Sequence, residues 1–359
     1  MKITDVRTVM VSIPMEGSVV QKDIRSIGCV LVFIDTDREV TGESLVFTFG
    51  TKRLDLLNSM VVSLKSEVIG EDPHSTERIW QRLWHELRFF GDKGMSLFGI
   101  SAIDMACWDA VGKAAGEPLH KLCGAYRDEV PAYASGLWLF QSIEELIVEA
   151  RSFLAEGFRA IKMRIGKPRL EDDVDRVGAV RQAIGPEVDL MVDANQRFTV
   201  EHAIRLGRKM EKFNLTWFEE PVPAHDIEGS ARVAAELDVP IASGENEYTR
   251  YGFRHLLEAK AADILMPDLA RVGGFTELLK VAHMAEAYDV PISPHIFSEQ
   301  NLQILGAIPN GVYLETMSRF SLLYREKLQL KDGRIVLPGR PGIGFTFSPD
   351  AIKRYRIES

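Results

Sequence analysis

Three apolar runs in this chain each end at an acid, and the acids are evenly spaced. Leu190-Met191-Val192 runs into Asp193, Trp217-Phe218 into Glu219, and Pro240-Ile241-Ala242-Ser243-Gly244 into Glu245. Both intervals are 26 residues. An apolar run that stops at a carboxylate is how a buried parallel strand looks where its C-terminal tip meets a polar site. The interval is the length that one strand, one helix and two short loops consume in a βα unit. Three consecutive tips of a parallel barrel converge. Gathered carboxylates repel one another, so a divalent cation is expected among them.

The chain from residue 130 onward follows the same grammar. Strand candidates fall at Val130–Ser135, Ala160–Ile165, Asp189–Asp193, Thr216–Glu219, Pro240–Ser243, Asp263–Pro267, Pro291–Ser293 and Gly311–Glu315. Helical periodicity fills most of the gaps, as in Ile143–Glu156 and Glu171–Ile184. Gly116, Gly157 and Gly185 stand where helix C-caps fall. Eight strands with a displaced last helix predict an α/β fold, a (β/α)7β TIM-type barrel over 126–320. No glycine-rich phosphate turn follows the first strand, which disfavours a doubly wound sheet. Residues 1–125 read differently, with strands first (Ile3–Ile13, Gly28–Thr36) and helices after (Arg53–Ile69, Glu77–Phe90, Ile100–Ala115). That order predicts an N-terminal α+β capping domain. Pro14–Arg25 and Phe47–Lys52 read as its loops. The Gly/Pro-rich tail, 321–359, is expected to leave the barrel and complete the capping domain.

Composition removes several function classes. A net charge of −9 disfavours nucleic acid and anionic membrane as partners. No apolar run is long enough to cross a bilayer, and no leader pattern precedes Met1-Lys2-Ile3. Three cysteines without a CxxC pair fit a reducing cytoplasm.

In a barrel of this kind the chemistry lies at the C-terminal strand ends. Taken in order these supply Ser135, then Lys162 with Arg164, then Asp193, Glu219 and Glu245, then Asp268, His295 and Glu315. A single acid is more often solvated surface than function, but each of these directly follows an apolar stretch. Lys162 and Arg164 are two apart and share a strand face. The set suits removal of the proton next to a substrate carboxylate. A hard cation and the pair Lys162 and Arg164 would stabilise the enolate. His295 would be the base, with Asp268 fixing its tautomer.

Longer motifs sharpen this. Ala102-Ile103-Asp104-Met105-Ala106-Cys107-Trp108-Asp109, Val192-Asp193-Ala194-Asn195-Gln196, Glu219-Glu220-Pro221, Gly244-Glu245-Asn246, Met266-Pro267-Asp268, Gly273-Gly274 and Ser293-Pro294-His295 span most of the chain. Together they resemble the enolase superfamily, in its mandelate racemase subgroup. The resemblance implies Mg2+ held by Asp193, Glu219 and Glu245. It implies a His295–Asp268 dyad on one face of the substrate and a strand-two base on the other. Glu315 and Ser135 would bind the substrate carboxylate, and the cap loops, around Ser18–Lys22 and Phe47–Lys52, would set specificity. The superfamily's pairing of a Lys or His base with Mg2+ is a known pattern. Its relatives are often homo-oligomers, from dimer to octamer.

The departure lies on strand two. The racemase pattern is Lys-x-Lys, whereas this chain has Lys162-Met163-Arg164. Bringing a lysine to neutrality costs roughly 4–5 kcal/mol, and an arginine roughly 7 kcal/mol or more. Arg164 is therefore expected to stay charged and to bind substrate oxygens. One good base, His295, suffices for dehydration of a sugar acid to a 2-keto-3-deoxy acid. The alternatives are a racemase or epimerase of a 2-hydroxy acid and a barrel that binds a carboxylate without turnover. Asn195 would touch substrate or orient Glu219. Arg271 reads as a supporting cation or a surface charge, and Trp138, Phe140 and Phe47 as pocket walls or packing. The remaining histidines have no comparable context.

Overall fold

The computed structural model describes residues 1–15, 25–317 and 319–357. The Ser18–Lys22 loop segment expected to set specificity lies outside them. The first unit is an antiparallel meander of β1 (Ile3–Pro14), β2 (Ser26–Thr36) and β3 (Thr41–Phe49). β2 is the central strand and is buried along nearly its whole length. Phe47 and its neighbours belong to β3, not to a loop as expected. The reason is pairing: Phe47 is in register with Cys29 and Thr48 with Gly28, so the ladder runs on to that point. The helical stretch expected over 53–69 breaks at Leu64 into Leu54–Ser63 and Lys65–Val68.

The helix Met95–Ala115 joins this unit to the barrel and is buried on almost every side. Gly42 of β3 lies so close to it that an added Cβ would stand 2.0 Å from the Ala106 carbonyl oxygen. Towards the barrel, Ser101 Oγ donates to the Leu269 carbonyl (2.6 Å) and Asp104 accepts from Thr276 N (3.0 Å). Burial raises the Asp104 pKa to about 7 despite its Thr276 bonds. One turn later, Asp109 accepts from three partners. These are Glu43 N (2.8 Å), Ile343 N (2.9 Å) and Lys113 Nζ (2.7 Å). One buried carboxylate thus ties β3, the connecting helix and the tail together.

The barrel strands are β4 (Glu129–Ser135), β5 (Ala160–Arg164), β6 (Asp189–Asp193), β7 (Trp217–Glu219), β8 (Ile241–Ser243), β9 (Ile264–Leu265) and β10 (Leu314–Thr316). They are parallel neighbours in sequence order, and β10 pairs back onto β4. The seventh place, expected as a strand at Pro291–Ser293, is filled only by isolated bridges from Ile292 to Leu265 and Gly311. Pro291 and Pro294 lack the N–H that a continuous ladder needs. Helices lie between the strands, and their ends follow local chemistry. Ser142 and Glu145 form a capping box at Ile143–Glu156, which Gly157 ends at φ 109°.

Among the described residues no long helix follows β10. A hairpin of β11 (Gln329–Lys331) and β12 (Arg334–Val336) pairs antiparallel with the start of β4. The chain then returns to the first unit. Leu119 N donates to the Gly342 carbonyl (2.9 Å), Phe347 N to Glu43 (2.8 Å) and Ile357 N to the Met10 carbonyl (3.1 Å). Gly342 holds φ 72°, and a Cβ there would meet Asp109 Oδ1 at 2.2 Å, so this close turn requires glycine. Among the described residues no helix is long and apolar enough to cross a membrane.

Candidate active site

The strand tips bring Ser135, Lys162, Arg164, Asp193, Glu219, Glu245, Asp268, His295 and Glu315 to one end of the barrel, where all but the partly exposed His295 are buried. Strand alternation decides what points inward. Residues two apart share a face, so Tyr133 with Ser135, Lys162 with Arg164, and Trp217 with Glu219 face the interior together.

The centre of the site is a buried ammonium. Lys162 Nζ stands 2.7 Å from Glu219 Oε1, 3.1 Å from Glu315 Oε1 and 3.8 Å from Asp193 Oδ2. It also lies 5.2 Å from the centre of the Tyr133 ring. Burial opposes its charge, yet Glu219 and Glu315 more than compensate and hold its pKa well above the usual lysine value. Arg164 donates to Ser135 Oγ (2.9 Å), faces Asp193 at 3.4 Å and lies 4.7 Å over the Trp138 ring. Burial again opposes its charge, and Asp193 and Glu315 again raise its pKa. In both strand-two cations the neighbouring carboxylates thus favour the charged form. Glu315 has the opposite balance. Burial pushes its pKa up, but Lys162, His295 and Arg164 hold it far below the carboxylate range. Its other oxygen accepts from Ile296 N (2.9 Å).

Asp193 and Glu219 are direct partners in the β6–β7 ladder. Glu219 Oε2 accepts from Trp217 Nε1 (3.0 Å). Burial, then its acidic neighbours Asp193, Glu315 and Glu245, lift Glu219 to about 8 against the pull of Lys162. Asp193 is raised by burial too, and Glu245 adds to the rise. Among the described residues, no three acids or histidines converge tightly enough to hold a metal ion as they stand. The expected convergence is altered because Lys162 is inserted between the β6 and β7 acids. The donor set nevertheless suits a hard divalent cation: buried carboxylate oxygens that raise one another's pKa have negative charge in excess.

On the other side, His295 Nδ1 pairs with Asp268 Oδ2 at 2.8 Å, and its Nε2 lies 3.4 Å from Glu245 Oε2. Asp268 Oδ1 accepts from Ala270 N (2.9 Å) and Arg271 N (3.0 Å), which fixes the carboxylate. Arg271 is a supporting cation. It reaches Asp268 Oδ2 at 3.3 Å and donates to the Glu245 carbonyl oxygen at 3.0 Å. Burial lowers the His295 pKa, but Glu245, the Asp268 bond and Glu315 together raise it to about 9.

One expectation changes. Asn195 does not touch Glu219. Its Nδ2 donates to Asp193 Oδ2 (3.1 Å) and its backbone N to Asp193 Oδ1 (2.8 Å). A left-handed turn at φ 43° folds Asn195 back onto its own strand tip. Phe47 packs against Phe297 and Phe320, with ring centres 5.6 and 5.1 Å away. It shares the wall of a cavity of about 270 Å³ with Asp268 and Arg271.

Comparison with known proteins agrees with this geometry. The model of the family described as "Enolase C-terminal domain-like" matches residues 145–351. That of the "Mandelate racemase / muconate lactonizing enzyme, N-terminal domain" matches residues 3–124. The chain belongs to the mandelate racemase/muconate lactonizing enzyme family of the enolase superfamily. It is 40% identical to L-talarate/galactarate dehydratase of Salmonella typhimurium over 80% of this chain and 73% of that protein. It is 36% identical to D-galactarolactone cycloisomerase of Agrobacterium fabrum over 99% of both chains. The crystal structure of L-talarate dehydratase from Polaromonas sp. JS666, complexed with Mg and L-glucarate, superposes with a TM-score of 0.93 at 35% identity. It covers 99% of this chain and 98% of that one.

For an enolase-superfamily enzyme, the residues that sequence reasoning missed are those supporting the acids. Glu220 is buried and accepts from Asn246 Nδ2 (2.9 Å) and Gln196 Nε2 (3.2 Å). Asn246 Nδ2 also contacts Glu245 Oε1 at 3.2 Å. Burial, then Glu245, keeps the Glu220 pKa well above its usual value. Trp217 and Tyr133 complete the floor, with ring centres 5.4 Å apart. The period-two rule that paired Lys162 with Arg164 would have found both rings.

Proposed function

We propose that this enzyme removes the proton α to the carboxylate of a sugar acid, with His295 as base. It then expels the β-hydroxyl as water, giving a 2-keto-3-deoxy acid. One observation carries this reading: Lys162 and Arg164 are engaged by carboxylates of the strand tips, while the opposite wall presents an imidazole whose Nδ1 is held by the fixed Asp268 carboxylate and whose Nε2 is turned towards Glu245. Against burial, the Glu245 charge is what most raises the His295 pKa; with that carboxylate engaged by a cation, a neutral His295 would take the α-proton at Nε2 and return it to the departing hydroxyl. Asp268 holds the tautomer and steadies the imidazolium. Lys162 and Arg164 stay protonated and face the developing negative charge. Ser135 and Arg164 orient the substrate carboxylate, and Glu315, an anion facing Lys162 and Arg164, holds the two cations in place. Asp193, Glu219 and Glu245 would hold Mg2+, which supplies further positive charge to the enolate oxygens when bound. The buried excess of acid supports that assignment, as do relatives solved with Mg.

The kinship with a cycloisomerase favours a second reading, in which the β-leaving oxygen remains in the product. Product mass separates the two. Incubation with a library of aldonic and aldaric acids should yield 2-keto products lighter by one water. Unchanged mass would mean isomerisation. Deuterium from D2O in recovered, inverted substrate would mean epimerisation and a second base.

A further inference from the structure

Two of the sequence motifs, the one around Asp104 and the pair Gly273-Gly274, have no part in the chemistry above, yet they touch. A Cβ on Gly274 would stand 2.4 Å from Asp104 Oδ2. They meet beside the residue that holds the proposed base. Asp268 caps a one-turn helix, Leu269–Val272, through its bonds to Ala270 N and Arg271 N. Gly273 (φ 107°) and Gly274 (φ 90°) end that turn in left-handed conformations. The aim of the Asp268 carboxylate, and with it of the His295 ring, follows the turn. A single turn of helix does not hold itself, because nucleation fixes several residues for one hydrogen bond.

What holds it comes from the capping domain. Ser101 Oγ donates to the carbonyl of Leu269, the residue after Asp268, at 2.6 Å. Trp80 Nε1, on the helix Thr76–Leu87, donates to the Gly273 carbonyl at 2.9 Å. Just beyond, Asp104 accepts from Thr276 N (3.0 Å) and Thr276 Oγ1 (2.5 Å). Both ends of the turn are therefore tied to groups 168 and 193 residues away in sequence. Trp80, Ser101 and Asp104 are all buried. A satisfied buried network of directed bonds fixes one position, where apolar packing alone would allow sliding. Position matters here, since a shift of about 1 Å in a reacting group costs on the order of 10²-fold in rate. Trp84 offers an internal comparison. It stacks on Trp80 with ring centres 5.2 Å apart, but among the described residues its own Nε1 has no partner.

We propose that the capping domain sets the proton-transfer geometry, with Trp80 and Ser101 as positioning residues that hold the Leu269–Val272 turn and, through it, the Asp268–His295 pair. This rests on the reading of His295 as base, and the test separates the two. Its first part needs no substrate. In the full chain with Mg2+ and isotope-labelled histidine, the His295 Nδ1 proton held by Asp268 gives a downfield magnetic resonance, assigned by its loss in His295→Asn. That signal should move or broaden in Trp80→Phe and in Ser101→Ala. It should stay in place in Trp84→Phe, which disturbs the stack but removes no bond to the turn. The second part uses whichever acid of the aldonic and aldaric library gives most 2-keto product. Trp80→Phe and Ser101→Ala should each lower kcat about three- to tenfold with KM changed less than about twofold, as one neutral hydrogen bond is lost in each. Trp84→Phe should leave kcat within about twofold of wild type. The proposal is overturned by a wild type without the downfield signal, by a signal unmoved in both variants, by an unchanged kcat in both, or by an equal kcat loss in Trp84→Phe. Melting curves report folding, and Ser101→Ala, the smaller change, keeps the test readable if Trp80→Phe does not fold. If no acid yields a 2-keto product, the dehydration reading falls and the resonance still decides the positioning.

Discussion

The second and sixth strands face each other across the barrel mouth and are built differently. β5 pairs with β6 at every position from Ala160 to Arg164. It presents Lys162, fully buried, and Arg164, nearly so. β9 is two residues long, and the segment beyond it, bearing His295, is attached by single bridges, at Ile292 between two prolines and from His295 to Asp268. The regular wall holds two cations engaged by carboxylates. The interrupted wall holds the proposed base, with its Nδ1 paired to Asp268 and its Nε2 facing Glu245. A group that binds charge benefits from rigid pairing. A group that transfers a proton needs a side chain aimed out of the ladder.

Perturbing the acids between the walls should have the largest effect. Glu219→Gln is expected to abolish turnover, as EDTA should in the wild type. Activity that survives EDTA would break the scheme. Next comes the interrupted wall. His295→Asn should lower kcat by about 10²–10⁴ and remove α-proton exchange with D2O to a similar degree. Exchange at the wild-type rate in that variant would transfer the base to β5 and erase the contrast. On the regular wall, Arg164→Lys should act chiefly through binding, raising KM about tenfold with kcat changed little, since the charge remains but the fork to Ser135 and Asp193 is lost. A fall in kcat comparable to that of His295→Asn would mean that both walls move protons. The smallest effect is expected for Trp217→Phe, which deletes the bond to Glu219 Oε2 while keeping most of the ring packing. It should cost about 1 kcal/mol of stability, read by denaturant unfolding, and a few-fold in kcat. No change would mean that Lys162 alone holds Glu219.

The strand tips were legible in the sequence because burial and chemistry change sign within two residues there. Asp193, Glu219, Asp268 and His295 all stand at such transitions. Contacts made across strands were not legible. Nothing near Lys162 in the sequence shows that its ammonium enters between acids from β6, β7 and β10, because that depends on side-chain length inside a closed barrel. Asn195 was placed on the wrong acid because a left-handed turn is invisible to strand periodicity. The seventh strand was overestimated because Ile292 was read for its hydrophobicity and the flanking prolines were not charged for their missing donors. Phe47–Lys52 shows no clear periodicity and so reads as loop, but the ladder with β2 continues through Phe47 and Thr48.

Asp109 has a consequence for how the molecule is made. Its partners are Glu43, 66 residues earlier, and Ile343, 234 residues later. At ordinary translation rates the later partner emerges roughly 10–50 s after Asp109. During that interval the nascent N-terminal unit holds a carboxylate whose final acceptor role is incomplete, next to a turn that only Gly342 can fill. The first segment off the ribosome must therefore wait for the tail, through the whole synthesis of the barrel, before its own core is closed.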